Sequence, residues 1–174
     1  VANHLGNSLT VVDADTGARL ADVDLGRASR VDPSIVGQYL FNNAGMTRLR
    51  RFSCNSCHPD GSSDGLTWSF VHVKDGFVRR NSRDLRTGVP ETAPFRWSGV
   101  DKHLDSFIDD EVTGLLGGPK PSDVQRRALA AAIRALRLPP NPHRERGGGY
   151  TAAGERGRQL FARRAGCSGC HSGP

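Results

Sequence analysis

The chain has 174 residues, enough for one ordinary domain or two small ones; with 6% aromatic and 36% hydrophobic residues and 21 glycines, its large side chains alone make a thin core that a bulky apolar cofactor would help to fill. The formal charge is +6 and the pI about 9.7, but the 24 Lys and Arg are scattered among Asp and Glu. No basic run is interleaved with aromatics, which argues against a nucleic-acid partner. No apolar run is long enough for a transmembrane segment and no signal peptide is visible. The chain starts at Val1 rather than Met and stops soon after a motif that normally opens a domain, so both ends are expected to be cut.

Residues 1–30 read as strands. "SLTVVDADTGARLADVDLG" gives a strand at Ser8 to Val12, a turn through Asp13 to Gly17 and a second, alternating strand toward Leu25. A lone hairpin is marginal in water, so these strands are expected to belong to a larger sheet. Asp32 and Pro33 then form an N-cap and N1 pair for a short helix carrying Gly37, Leu40 and Phe41.

Next comes Cys54-Asn-Ser-Cys57-His58, and near the end Cys167-Ser-Gly-Cys170-His171. All four cysteines fall in these two copies of C-x-x-C-H. Disulfides, structural zinc and redox C-x-x-C pairs use similar spacing, but none requires a His directly after the second Cys. Covalent haem attachment does: the thiols form thioethers with the porphyrin vinyl groups and the His turns its imidazole onto the iron. Two haem c sites are therefore expected, with His58 and His171 as proximal ligands and Cys54, Cys57, Cys167 and Cys170 as attachment points. The positive charge then reads as propionate partners and solvated surface, and covalent attachment implies a periplasmic or extracellular protein.

Between the motifs, Ser122-Asp123 caps a helix through "VQRRALAAAIRALRL". Its apolar stripe is Val124, Ala128, Leu129, Ala132, Ile133 and Leu136, and Pro139-Pro140 ends it. "PPNPHRERGGGY" reads as a linker. Thr151 caps a second short helix bearing Gly157, Leu160 and Phe161, so G-x-x-L-F precedes both haem motifs. Twelve residues separate Phe41 from Cys54, and five separate Phe161 from Cys167. The expected organisation is a β-hairpin at 1–30, a first cytochrome c domain at 31–140, and at 141–174 a linker and the start of a second cytochrome c domain. The expected fold class is mainly α, with cytochrome c-like haem domains and an N-terminal β-hairpin.

From Val31 onward the chain resembles the di-haem cytochrome c peroxidase family, including its methylamine-utilisation-type members. The resemblance rests on the two haem motifs, "DGLTWSFVHVKDGFVRRNSRDLR", "APFRWSG" and "LPPNP". Residues 1–30 resemble the last strands of a YVTN-type β-propeller blade. The peroxidase resemblance implies His72 as a distal ligand of the first haem, with His103 as its rival, and Trp97 as an aid to electron transfer between haems. It also implies a calcium site touching Asn81 and an acid/base carboxylate for peroxide cleavage, for which Glu111 is the candidate beside Asp109 and Asp110. Read without the resemblance, that acidic cluster is a solvated helix face.

The implied function is electron transfer, with hydrogen peroxide as substrate and an electron-donor protein or small redox carrier as partner. The alternatives are a non-catalytic electron carrier or a propeller-linked protein for redox sensing or binding.

Overall fold

Asp32 accepts a hydrogen bond from Ser34 N at 2.8 Å with Pro33 at the first helical position, and these two residues start helix α1, Pro33–Asn42. In the computed structural model, which describes residues 1–3, 6–26, 31–72, 74 and 76–171 and leaves the His72 side chain undescribed, the chain divides into two compact units, Val1–Arg137 and Leu138–Pro174.

The first unit opens with a three-stranded antiparallel sheet of β1 (Ala2–Asn3), β2 (Ser8–Val12) and β3 (Arg19–Asp24), in which Leu9 faces Val23 and Val11 faces Ala21. Asp13 closes the β2–β3 turn, its Oδ1 accepting from Asp15 N and Thr16 N at 3.0 and 2.8 Å. After α1 the chain makes two 3-10 turns, Ala44–Met46 and Arg48–Arg50, and the single-turn helix α2, Cys54–Cys57. Strands β4 (Thr67–His72) and β5 (Gly76–Asn81) pair antiparallel, Thr67 with Asn81 through His72 with Gly76. Helix α3, Leu104–Asp110, runs into a π-helical turn at Glu111–Leu115, and α4 spans Asp123–Ala135.

The core lies between α1, α3 and α4, where Phe41, Phe95, Leu104, Ile108, Leu129, Ala130 and Ile133 are buried together. Most of the stripe read along α4 faces this core; Val124 does not, being 66% exposed on the first turn. Gly37 decides how closely α1 and α4 approach. A Cβ there would lie 1.9 Å from the Ala128 carbonyl oxygen, so only glycine permits the contact.

The expectation of a mainly helical protein is corrected. Two antiparallel sheets stand beside the helices, and the fold is mixed α and β. In "TWSFVHVKDGFVRRN", β-branched and aromatic residues flank an Asp-Gly pair, which is a hairpin pattern. The segment thus carries a local hairpin signal that its likeness to a helical family does not convey.

In the second unit, Thr151 Oγ1 accepts from Gly154 N at 3.1 Å and starts α5, Ala152–Gln159, which continues as a π-helical turn through Leu160–Arg164. The two G-x-x-L-F copies differ in surroundings. Gly37 and Phe41 are buried, whereas Leu160 and Phe161 are 52% and 43% exposed.

Candidate functional site

The first C-x-x-C-H segment is built by one helical turn. Ser53 N donates to Ser56 Oγ at 3.0 Å at its start, and His58 N donates to Cys54 O at 2.9 Å at its end. Cys54 and Cys57 are thus one turn apart on the same side of α2. The chain reverses through Pro59–Gly61, helped by Asn55 Oδ1 accepting from Asp60 N at 2.9 Å.

The His58 ring is pinned from behind, with Nδ1 2.8 Å from Arg83 O and 3.3 Å from Ser62 O. Two carbonyls can only accept, so Nδ1 carries the proton and Nε2 is left with its lone pair free. Burial pushes the imidazole below its ordinary pKa, against the hydrogen bonds that Nδ1 donates to these carbonyls, and so favours the neutral form. The two carbonyls are held in turn. Asp64 accepts from Ser82 Oγ at 2.6 Å and from Trp68 Nε1 at 2.8 Å, and Arg86 Nη2 donates to Ser62 Oγ at 2.9 Å. Leu85 N donates to Gly61 O at 2.8 Å, joining the two loops along the backbone.

Beside α2 lies a group of charges. Arg96, its side chain 6% exposed, donates through Nε to Asp101 and through Nη1 to Glu111 Oε1 at 2.5 Å. Its Nη2 is buried 3.7 Å from Asp110 Oδ2. Lys74 pairs with both Asp101 and Asp110. Asp109 pairs with Arg126 Nε at 2.8 Å. The reading of 109–111 as a solvated helix face is therefore corrected, since each of these carboxylates faces a cation. Glu111 is packed against protein yet keeps 27% of its side-chain surface open. Burial raises its pKa, in opposition to Arg96. Burial and, after it, the Glu111 charge push the Cys54 thiol up to about 11; Cys57 is raised by burial and then by Asp64 and Glu111.

The structure brings Cys54, Cys57, His58 and Glu111 together in the first unit. Trp97 is placed differently: it is 63% exposed, with the guanidiniums of Arg80 and Arg83 at 5.8 and 5.9 Å from its ring. His72 has its backbone on β4, and its side chain lies outside the described residues. His103 is exposed at the cap of α3. The Asn81 amide donates to Thr67 Oγ1 at 3.1 Å, within the β4–β5 hairpin. Sequence reasoning missed Arg83 and Arg96: one acts through its main-chain carbonyl, which no side-chain motif records, and the other through contacts formed only on folding.

In the second unit, Cys167–Gly169 form a 3-10 turn entered through Gly166 at φ 65°, and His171 N donates to Cys167 O at 2.9 Å. This is the His-to-first-Cys bond of the first motif, at the same length. Phe161 lies 6.5 Å from the His171 ring, which is exposed.

The donor set fits haem c at the first motif, with two thiols on one turn and an imidazole whose Nε2 is free by elimination.

No family model matches the chain. It is similar to hydrazine synthase subunit gamma of Kuenenia stuttgartiensis, at 32% identity over 151 residues, which is 79% of this chain and 42% of the relative. It is also similar to a solved structure of Kuenenia stuttgartiensis hydrazine synthase pressurized with 20 bar xenon, at 26% identity and a TM-score of 0.65, covering 94% of this chain and 60% of that one. The chain thus spans about two fifths of the length of the curated relative it matches.

These findings correct the resemblance to di-haem cytochrome c peroxidases and to a YVTN propeller. Both haem motifs occur outside peroxidases, and the more particular segments are only half kept: Trp97 is followed by Ser98-Gly99-Val100, where the peroxidase pattern has Asp-Gly-Arg, and Glu111 lacks the following Met. Among the described residues, 1–24 form three strands of one small sheet within the first unit rather than a recognisable blade. Among the described residues, no helix is long and apolar enough to cross a membrane.

Proposed function

We propose that this chain is the haem-bearing part of a two-haem c-type cytochrome that moves electrons within an enzyme of the hydrazine synthase kind. The observation that carries the reading is the pinned His58, a neutral imidazole with its second nitrogen free, one residue beyond a pair of thiols on one helical turn. The 32% identity to a hydrazine synthase subunit supplies the reaction class. Hydrazine holds nitrogen at a low oxidation state, so forming it from more oxidised nitrogen consumes electrons. Haem iron supplies one-electron transfer when bound.

The residues of this chain then have separate tasks. Cys54 and Cys57 anchor the first haem and His58 ligates it; Cys167, Cys170 and His171 do the same for the second. Arg83 and Ser62 orient His58 through their carbonyls. His72 is the candidate for the opposite face of the first iron, and Trp97 for the route by which electrons reach it. The partner is an electron-donor protein or small redox carrier, and the compartment is the periplasm or cell exterior, where haem is attached covalently.

The test is a pyridine haemochrome count on the full-length protein expressed with haem-attachment machinery. Two haems c per chain are expected, falling to one in Cys54→Ala/Cys57→Ala and in Cys167→Ala/Cys170→Ala, with hydrazine formation by the assembled enzyme lost in the first. A count of one in the wild type, or hydrazine formation untouched by losing the first haem, overturns the reading. For His72, an unchanged spin state in His72→Ala removes it as a ligand.

A further inference from the structure

His58 Nδ1 faces two carbonyls at unequal range, Arg83 O at 2.8 Å and Ser62 O at 3.3 Å. The shorter bond governs how far the ring proton is shared. It reaches a residue 25 positions away, so its length depends on whatever fixes Arg83 against the segment that follows His58.

Arg83 lies between two anchors. Two residues beyond it, Leu85 N donates to Gly61 O at 2.8 Å. Directly before it, the Ser82 hydroxyl donates to Asp64 Oδ1 at 2.6 Å. That hydroxyl has one proton, so across its 3.0 Å contact with Ser63 Oγ it is Ser63 that donates. The Asp64 amide lies 3.2 Å from Cys57 O and 3.3 Å from Ser82 Oγ and donates to both. Trp68 Nε1 donates to Asp64 Oδ2 at 2.8 Å, and Leu66 N to Oδ1 at 2.9 Å. Trp68 stands near the start of β4 and Ser82 directly after β5. Asp64 thus ties both strands, at the open end of the hairpin, to the second cysteine of the motif.

We propose that Ser82 and Asp64 are positioning residues that set the strength of the His58 Nδ1–H···O=C bond to Arg83 and, through it, the reduction potential of the first haem. This rests on the reading of His58 as an iron ligand. A close carbonyl on Nδ1–H moves electron density onto Nε2, and a more basic nitrogen favours the oxidised iron. Without the Ser82 hydroxyl, Arg83 loses the anchor on its N-terminal side, its carbonyl is free to draw away, and Ser62 O remains as the weaker acceptor. Both acceptors are carbonyls, so the tautomer is kept while the basicity of Nε2 falls. Reduction adds one electron from the donor and leaves the proton on Nδ1, so no bond at the ring forms or breaks.

The experiment is spectroelectrochemical titration of the full-length holoprotein, following the first haem. Ser82→Ala removes the anchor without changing any charge. Its potential is expected to be more positive than that of the wild type, with the constant for one-electron reduction about fivefold larger, the net worth of one hydrogen bond. Ser82→Thr, which keeps a hydroxyl, is expected to return the wild-type potential, and Trp68→Phe to give a smaller shift in the same direction. Asp13→Asn, which loosens the β2–β3 turn, is expected to lower stability and leave the potential where it was. An unchanged potential in Ser82→Ala, a shift that Ser82→Thr does not reverse, or an equal shift in Asp13→Asn overturns the proposal.

A second measurement needs no variant. In proton NMR of the oxidised wild-type holoprotein, the His58 Nδ1 proton is expected to outlast transfer into D2O, because the Arg83 carbonyl holds it. Its loss within the mixing time also overturns the proposal. Failure of the haem-centre reading would show differently, as a missing first haem in the haemochrome count.

Discussion

His58 Nδ1 lies 2.8 Å from the carbonyl oxygen of Arg83, a residue 25 positions further along the chain. One bond to a distant carbonyl fixes the tautomer and the ring plane of the histidine proposed as the proximal ligand. The carbonyl is held there by Asp64, which receives the Ser82 hydroxyl and the Trp68 indole and so ties the loop after α2 to the loop after β5.

Asp64 is therefore expected to control the acid stability of the first unit. Hydrogen bonds, the Ser82 hydroxyl first and then the Leu66 amide, hold its carboxyl below the ordinary 3.8. A depressed folded-state pKa gives stability that is complete above the unfolded value and is lost as pH falls through the folded one. Asp64→Asn should thus raise the pH at which the unit unfolds in acid, followed by Trp68 fluorescence. An acid midpoint equal to wild type would remove Asp64 from this account.

How much of this was legible in the sequence depends on the kind of signal. The C-x-x-C-H spacing is chemical and local, so both motifs are legible directly; the caps Asp32, Ser122 and Thr151 are local too and stand where their side chains imply. Strands β4 and β5 carry a local signal too, β-branched and aromatic residues on either side of an Asp-Gly pair, which a likeness to a helical family does not convey. Arg83 and Arg96 had no sequence signal at all. Their contacts reach 25 and 15 residues along the chain and depend on packing that no window contains.

The α1–α4 contact gives a direct stability test. Gly37→Ala would place a methyl group within 1.9 Å of the Ala128 carbonyl oxygen, a backbone atom that cannot swing aside. The helices must separate, and the expected loss is about 3 kcal/mol, at the upper end of overpacking costs. Urea denaturation measures it. A loss below about 0.5 kcal/mol would mean that α1 is free to shift.

Asp101 is the centre of the ion group, with Lys74 and Arg96 both on its carboxylate and 1% of its side chain exposed. Removing that charge leaves Arg96 buried against fewer partners, so Asp101→Asn is expected to cost roughly 3–5 kcal/mol. Burial opposes ionisation of Asp101, but hydrogen bonds from Lys74 and Arg96 outweigh it and its pKa is lowered, so this stability is present above the ordinary carboxylate range and is lost as pH falls through the folded value. Equilibrium unfolding at pH 7 and in acid should show the wild type and the variant converging at low pH. Parallel curves would contradict the assignment.

The raised thiol of Cys54 bears on how the haem is attached. In the folded, haem-free chain burial pushes it up to about 11, so at pH 8 the thiolate fraction is about 0.1%, against roughly a quarter for an unperturbed cysteine. Alkylation of the folded apoprotein should therefore modify exposed Cys170 first and Cys54 last, slower by on the order of a hundredfold, with the difference abolished in denaturant. Peptide mapping after timed quenching reads this out. Equal rates in the folded state would show that Cys54 is not shielded by the core residues it packs against.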